Sequence, residues 1–229
     1  MHHATALDEH RQSGPGTDLP TLVREAWEVG KSIDLGKAVY GRAIRRGVEV
    51  VLDKPSTYYP FLAGFVRVTR SRFVVELGTN CGGSALAMRS GFAGPGEIVT
   101  VDLTDHSDAY LRDDPAIRKI RGDANSIEVI EAVVEIAGGR AVDMIYIDAA
   151  HSCMPTLLNY CLYGALLAPR FILIDDITLY PSMERMWRLV LRTRGSDCAV
   201  NAAEIVPEIR PQKPAPGFGV VAFAPLAPN

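Results

Sequence analysis

The chain is poor in the features that mark several large protein classes. It has only four cysteines, Cys81, Cys153, Cys161 and Cys198. They show neither C-x-x-C spacing nor the density of a disulfide scaffold, so they read as reduced thiols. Charge of one sign is also scarce: the net charge of −3 leaves no basic footprint for nucleic acid. No apolar run is long enough to span a bilayer, which excludes a membrane-crossing helix. The first ten residues lack the apolar core of a secretory signal, so a cytoplasmic location is expected. His2 and His3 are too few to make a metal-binding tract, and no internal repeat is visible.

What is present describes a globular α/β protein. With 229 residues, 48% of them hydrophobic, the chain is long enough for one sizeable domain. Residues 1–18, with Ser13-Gly14-Pro15-Gly16, read as a flexible tail, and 19–70 as an amino-terminal helical cap. Apolar residues at Leu22, Ala26, Val29 and Ile33, and again at Val39, Ala43 and Ile44, predict two amphipathic helices before Gly47. A proline-bounded loop, Lys54 to Pro60, leads to a further helix through Val68. From residue 71 onward strands alternate with helices. Strands are predicted at 73–77, 97–102, 117–121, 142–148 and 170–175, and helices at 84–92, 125–138, 154–167 and 182–194. This rhythm predicts a mostly parallel sheet covered on both faces. Two late strands, 198–206 and 218–224, are split by a proline-rich loop and predict an antiparallel hairpin at the sheet edge.

Ligands of open parallel sheets bind beyond the carboxyl ends of the strands, so those ends are where function is sought. The first strand ends Val74-Val75-Glu76-Leu77 and runs into Gly78-Thr79-Asn80-Cys81-Gly82-Gly83-Ser84 before a helix. Glycines there let backbone approach a ligand, and the helix start offers free N–H groups. The second strand ends at Asp102, the acid about 20 residues beyond a glycine turn that accepts ribose hydroxyls. The third ends Gly122-Asp123-Ala124, where Asp123 either flanks an adenine or caps the next helix. The fourth ends Ile147-Asp148-Ala149-Ala150-His151, and the fifth Ile174-Asp175-Asp176. Neighbouring parallel strands lie about 4.8 Å apart, so Asp148, Asp175 and Asp176 are expected to converge. Three such carboxylates repel unless a cation neutralises them, and oxygen ligands suit a hard divalent ion such as magnesium. An unperturbed imidazole titrates near neutrality, which makes His151 a candidate general base.

Taken together, these motifs resemble the metal-dependent class I O-methyltransferases over roughly residues 60–225. The E-x-G-x-x-x-G turn is similar to their S-adenosylmethionine (SAM) loop. The Asp-Asp pair and the Asp-x-x-His spacing look closest to the bacterial macrocin and mycinamicin sugar O-methyltransferases and to cephalosporin-hydroxylase-like proteins. Catechol O-methyltransferase is a more distant likeness. The resemblance implies a Rossmann-like, seven-stranded, mostly parallel sheet with helices on both faces, and a catalytic domain over 71–229. It implies SAM bound by Glu76, Gly78, Thr79, Asn80, Ser84, Asp102, Asp123, Ala124 and Asp148. It further implies Mg2+ or another divalent ion on Asp148, Asp175 and Asp176, with His151 as the base that deprotonates an acceptor hydroxyl. The expected acceptor is a small-molecule diol, sugar-like or catechol-like, from natural-product biosynthesis.

Other readings remain at this stage. An iron-dependent oxygenase would want two histidines and one carboxylate, whereas one histidine stands among three acids. An NAD-dependent dehydrogenase would want G-x-G-x-x-G, which the spacing of Gly78, Gly82 and Gly83 does not supply. A non-catalytic SAM-binding protein would have no need of the acids and His151. Tyr40, Tyr58 and Tyr59 either wall an acceptor site or belong to the core. Trp27 and Trp187 read as packing residues. Exposed amino-terminal helices are expected to suit a homodimer.

Overall fold

Asp18 accepts a hydrogen bond from the Thr21 backbone N–H at 2.7 Å and so caps the first helix, α1 (Leu19–Gly30), with Pro20 in its first turn. The computed structural model describes residues 18–36, 42–45, 48–51 and 55–223. Two short antiparallel strands follow, β1 (Arg42–Arg45) and β2 (Val48–Val51), and then α2 (Tyr59–Val68). The second amino-terminal helix expected from Ala43 and Ile44 is therefore a strand pair. The β-branched run Val48, Val50 and Val51 favours extended backbone, and Gly47 breaks any helix before it. Val39 and Tyr40 lie outside the described residues.

Helices α1 and α2 approach very closely. A side chain on Gly64 would stand 1.8 Å from the Ala26 carbonyl oxygen, and one on Gly30 1.9 Å from that of Pro60. Both glycines are buried. The pair does not stand apart from the rest. Leu19, Val23, Phe61 and Phe65 share one buried cluster with Val74, Met144 and Leu173 of the sheet.

The sheet is built from β3 (Phe73–Leu77), β4 (Glu97–Asp102), β5 (Ile117–Arg121), β6 (Met144–Ile147), β7 (Phe171–Asp175), β8 (Ala199–Asn201) and β9 (Phe218–Ala222). Its spatial order is β5-β4-β3-β6-β7-β9-β8. The first five strands are parallel, and β9 runs antiparallel between β7 and β8. Alternation along each strand feeds two separate cores. Val74 and Tyr146 face α1, α2 and α3 (Gly83–Gly91). Val75, Leu77, Ile145 and Ile147 face α5 (Ile127–Ala137), α6 (Cys153–Leu167) and α7 (Pro181–Arg194). Trp187 belongs to this second core and packs against Gly219, while Trp27 packs against the first.

Chain order moves outward from β3 to β4 and β5, then returns to β6 on the other side of β3. The switch in direction opens a crevice at the carboxyl ends of β3 and β6, where such sheets place their ligands. Two local details differ from expectation. A one-turn helix, α4 (Asp108–Leu111), lies between β4 and β5. The strand expected over 198–206 stops at Asn201, whose side chain accepts from the Ala203 N–H and starts the short helix α8 (Ala202–Ile205).

The α1–α2 contact offers a direct stability test. Gly64→Ala should force two backbones apart and destabilise the fold by about 1–3 kcal/mol, the usual penalty of overpacking. Urea denaturation of the variant beside the native chain measures it.

Candidate active site

The turn after β3 depends on a residue without a side chain. Gly78 has φ +102°, and a Cβ there would lie 2.1 Å from the Asp148 carbonyl oxygen. The loop of β3 thereby rests on the end of β6, held by the Gly78 N–H to Val101 at 2.8 Å and the Asp148 N–H to Leu77 at 2.7 Å. Gly82, at φ +85°, then opens α3 against the Leu111 side chain. A side chain on Gly83, the first residue of α3, would meet the Tyr59 hydroxyl at 2.3 Å, so α2 overhangs the loop.

Beneath this loop lies a buried polar network. Glu76 is fully buried and accepts from the Ser84 hydroxyl at 2.5 Å and from that of Thr100. Thr79 joins through Thr100 at 2.6 Å. Burial raises the Glu76 carboxyl to about 8, against the opposing effect of the Ser84 and Thr100 hydroxyls. Glu76, Thr79 and Ser84, expected along a cofactor wall, are thus turned on one another and support the loop from below. The reason is solvation: an acid in the middle of a central strand has no water, and neighbouring hydroxyls replace it.

Asp102 is half-buried at the end of β4. One carboxylate oxygen accepts from the Asn80 backbone N–H at 2.7 Å, and the other from the Thr104 N–H and hydroxyl, both at 2.8 Å. It ties the glycine loop to the next strand end. Asn80 itself is exposed and left-handed, at φ +48°. Asp123 is exposed and accepts from the Asn125 N–H at 2.9 Å, while Ser126 supplies the cap of α5. The capping alternative for Asp123 therefore falls to Ser126. Ala124 is buried, and its carbonyl accepts from the Tyr163 hydroxyl at 2.9 Å.

The acids of β6 and β7 do meet. Tyr146, two residues before Asp148 on the same face, donates its hydroxyl to Asp148 Oδ2 at 3.1 Å. His151 stands between two carboxylates, with Nε2 3.6 Å from Asp148 Oδ1 and Nδ1 3.8 Å from Asp176 Oδ2. Both separations are slightly longer than a hydrogen bond, so the ring lies beside both carboxylates without donating to either. Burial raises the Asp148 carboxyl, against the pull of His151 and Arg210. Burial also raises Asp176 to about 6, with His151 opposing and Asp148 assisting. Asp176 adopts φ +54°, a left-handed conformation that aspartate tolerates. That twist lets consecutive acids diverge: Asp175 stays buried at the strand end, and Asp176 reaches His151.

Asp175 has a partner that the sequence motifs do not announce. Arg210, only 8% exposed, pairs with it through Nη2, and the same nitrogen lies 3.4 Å from Asp176 Oδ1. Its guanidinium lies 4.0 Å from the centre of the Tyr58 ring. The expected divalent-metal set of Asp148, Asp175 and Asp176 is not assembled here. Among the described residues no group of three or more His, Cys, Asp or Glu side chains is gathered so as to hold a metal ion. The physical reason is that an arginine cation stands against the carboxylates that such an ion would need. Arg210 comes from the proline-rich segment after a short 3-10 turn (Pro207–Ile209), anchored by the Thr57 hydroxyl to the Ile209 carbonyl at 2.9 Å. The available signal was a lone arginine in a loop otherwise rich in proline, and it has no characteristic spacing to the acids.

Comparison with known proteins agrees with this architecture. Residues 75–177, from β3 through the end of β7, match a family model described as a methyltransferase domain. An O-methyltransferase from Aspergillus hancockii is 33% identical over 137 residues, 57% of this chain and 52% of that protein. The match therefore spans about half the length of that relative. Among solved structures, the O-methyltransferase TomG of Streptomyces achromogenes, in complex with SAM, aligns with a TM-score of 0.57 at 16% identity, covering 88% of each chain. An O-methyltransferase from Bacillus cereus, in complex with SAH, gives 0.55 at 17% identity, covering 88% of this chain and 90% of that one. The fold is the Rossmann-like class I methyltransferase fold with its antiparallel edge strands.

The buried Glu76 makes stability depend on pH. Its carboxyl is raised in the folded state, so its contribution is fully present below about 4.5 and is lost as pH rises toward about 8. Glu76→Gln should flatten the fall in Tm across that window and make the variant relatively more stable at pH 8. Thermal melts from pH 5 to pH 8.5 test this; parallel curves for the two proteins would show that Glu76 does not titrate there.

Proposed function

We propose that the protein is a SAM-dependent O-methyltransferase that acts on a hydroxyl of a small-molecule diol, sugar-like or catechol-like. The observation that supports this reading best is one juxtaposition. The Gly78 turn, Asp102 and the His151 carboxylate cage share the carboxyl edge where β3 and β6 meet. The methyltransferase-domain match and the activities of the related proteins point the same way.

The residues fit SAM on their own geometry. Gly78 turns the chain tightly against the end of β6, α3 presents its amino-terminal N–H groups, and Asp102 is half-exposed at the next strand end. Gly78, Asn80 and the start of α3 would hold the methionyl portion, Asp102 the ribose, and Asp123 with Ala124 the adenine side. When bound, SAM supplies a methyl group made electrophilic by its sulfonium centre.

The chain's own task is to generate and aim an oxygen nucleophile. His151 removes the proton from the acceptor hydroxyl, and the imidazolium that forms lies between Asp148 and Asp176, whose charges stabilise it. Tyr146 holds Asp148 in place by its hydrogen bond. Tyr59 overhangs the glycine loop, and Tyr58 lies in the buried core under the Arg210 guanidinium. No step here is assigned to a metal ion, because the three acids are engaged by Arg210 and His151.

Two measurements test the reading. Asp102→Ala should weaken SAM binding by about 1–3 kcal/mol, the range for hydrogen bonds to a charged group, and calorimetry reads it. Unchanged affinity would remove Asp102 from the cofactor site. His151→Ala should lower kcat by ~10²–10⁴, the usual effect of losing a general base, with SAM affinity little changed. A methyl-transfer screen over catechols and sugar diols supplies the acceptor, and native turnover by the His151 variant at neutral pH would make the histidine structural.

A further inference from the structure

Arginine is never neutral at accessible pH, so a buried guanidinium must be matched by anions. Arg210 is matched by two. Its Nη2 pairs with Asp175 Oδ1 and lies 3.4 Å from Asp176 Oδ1, with the cation also over the Tyr58 ring at 4.0 Å and 5.8 Å from the centre of Phe218. Three more of the six carboxylate oxygens are engaged in turn. Asp176 Oδ2 and Asp148 Oδ1 face His151 at 3.8 Å and 3.6 Å, and Asp148 Oδ2 accepts from Tyr146 at 3.1 Å.

We propose that Arg210 is the resident cation of the acceptor site, balancing Asp175 and Asp176 where a divalent ion would otherwise stand, so that methyl transfer by this chain needs no metal. The proposal rests on the O-methyltransferase reading above for its consequence, but its structural core does not. A divalent ion draws several oxygens to within about 2.0–2.6 Å of itself. The guanidinium uses the same lone pairs, and a second cation on those oxygens would meet a fixed positive charge at contact distance. Arg210 also does what a free ion cannot. It carries the proline-rich segment onto the sheet edge and stacks on Tyr58, coupling the acceptor side of the site to the amino-terminal helices. In this role it is a positioning residue: it holds Asp176 on His151 and sets the charge around the base.

The test measures cation binding and turnover separately on the full chain. Electron paramagnetic resonance with Mn2+ alone counts bound ion in the native protein. The expected result is no stoichiometric site at submillimolar Mn2+, with turnover on a screened acceptor retained after exhaustive chelation. Arg210→Ala should lower Tm and turnover and bind Mn2+ at least ~10-fold more tightly than the native chain, because a like charge at contact has been removed. Added Mn2+ should restore part of its Tm. Arg210→Lys, which keeps a cation without the fork, should hold Tm close to native and still exclude Mn2+. One tightly bound Mn2+ per native chain that is lost in Asp148→Asn would overturn the proposal, as would turnover abolished by chelation and restored by Mg2+. Should Arg210→Ala fail to fold, the native titration and the lysine variant decide the matter. SAM calorimetry on the same samples separates this outcome from failure of the methyltransferase reading, since a chain that binds neither SAM nor Mn2+ would fail only the latter.

Discussion

The acids on β3, β4, β6 and β7 that line the carboxyl edge of this sheet have to be reconciled with burial, and the site is the set of ways in which that is done. An isolated carboxylate in a dry interior is strongly disfavoured, so it finds donors, finds a cation or keeps its proton. Glu76 uses the hydroxyls of Ser84 and Thr100 and holds its proton to about 8. Asp102 takes backbone N–H groups from the glycine loop. Asp148 and Asp176 enclose His151, and Asp175 takes Arg210. Each solution also fixes a piece of chain: the loop, the strand-end turn, or the proline-rich segment.

The same logic explains why structural and chemical roles overlap here. Glu76 lies on the face of β3 shared with Val74, in register with Tyr146 of β6. Tyr146 in turn orients Asp148, which lies beside His151. The glycine loop and Asp148 are thus both placed by two adjacent strands. Gly78 joins the two, because only a residue without Cβ lets the β3 turn settle on the Asp148 carbonyl.

The amino-terminal and carboxyl-terminal portions meet over this edge. Tyr58 and Tyr59 come from the start of α2, and Arg210 arrives from the far end of the chain to lie on Tyr58. Aromatic rings tolerate a guanidinium face and contribute favourable cation–π energy when desolvated. This end of the carboxyl edge is therefore shaped by segments that the parallel-strand core does not contain. The family match, residues 75–177, covers the strands between these two portions.

Local pattern determined much of this protein. The strands at 73–77, 97–102 and 117–121 have the bounds that apolar alternation and glycine punctuation predict, and the helices of the central region follow within a residue or two. Strand-end acids were legible for the same reason: a parallel sheet places them on one edge whatever the side-chain details. The second amino-terminal helix was misread, because the spacing of Val39, Ala43 and Ile44 satisfies a helix while Gly47 and the valines after it favour a strand pair. What only tertiary structure decided is which charges meet. Asp175 and Arg210 are 35 residues apart, and no periodicity links them. Their pairing comes from β9 inserting antiparallel beside β7 and from the loop before it folding onto Tyr58. Sequence spacing specifies local geometry; the compensation of buried charge depends on everything that packs against it.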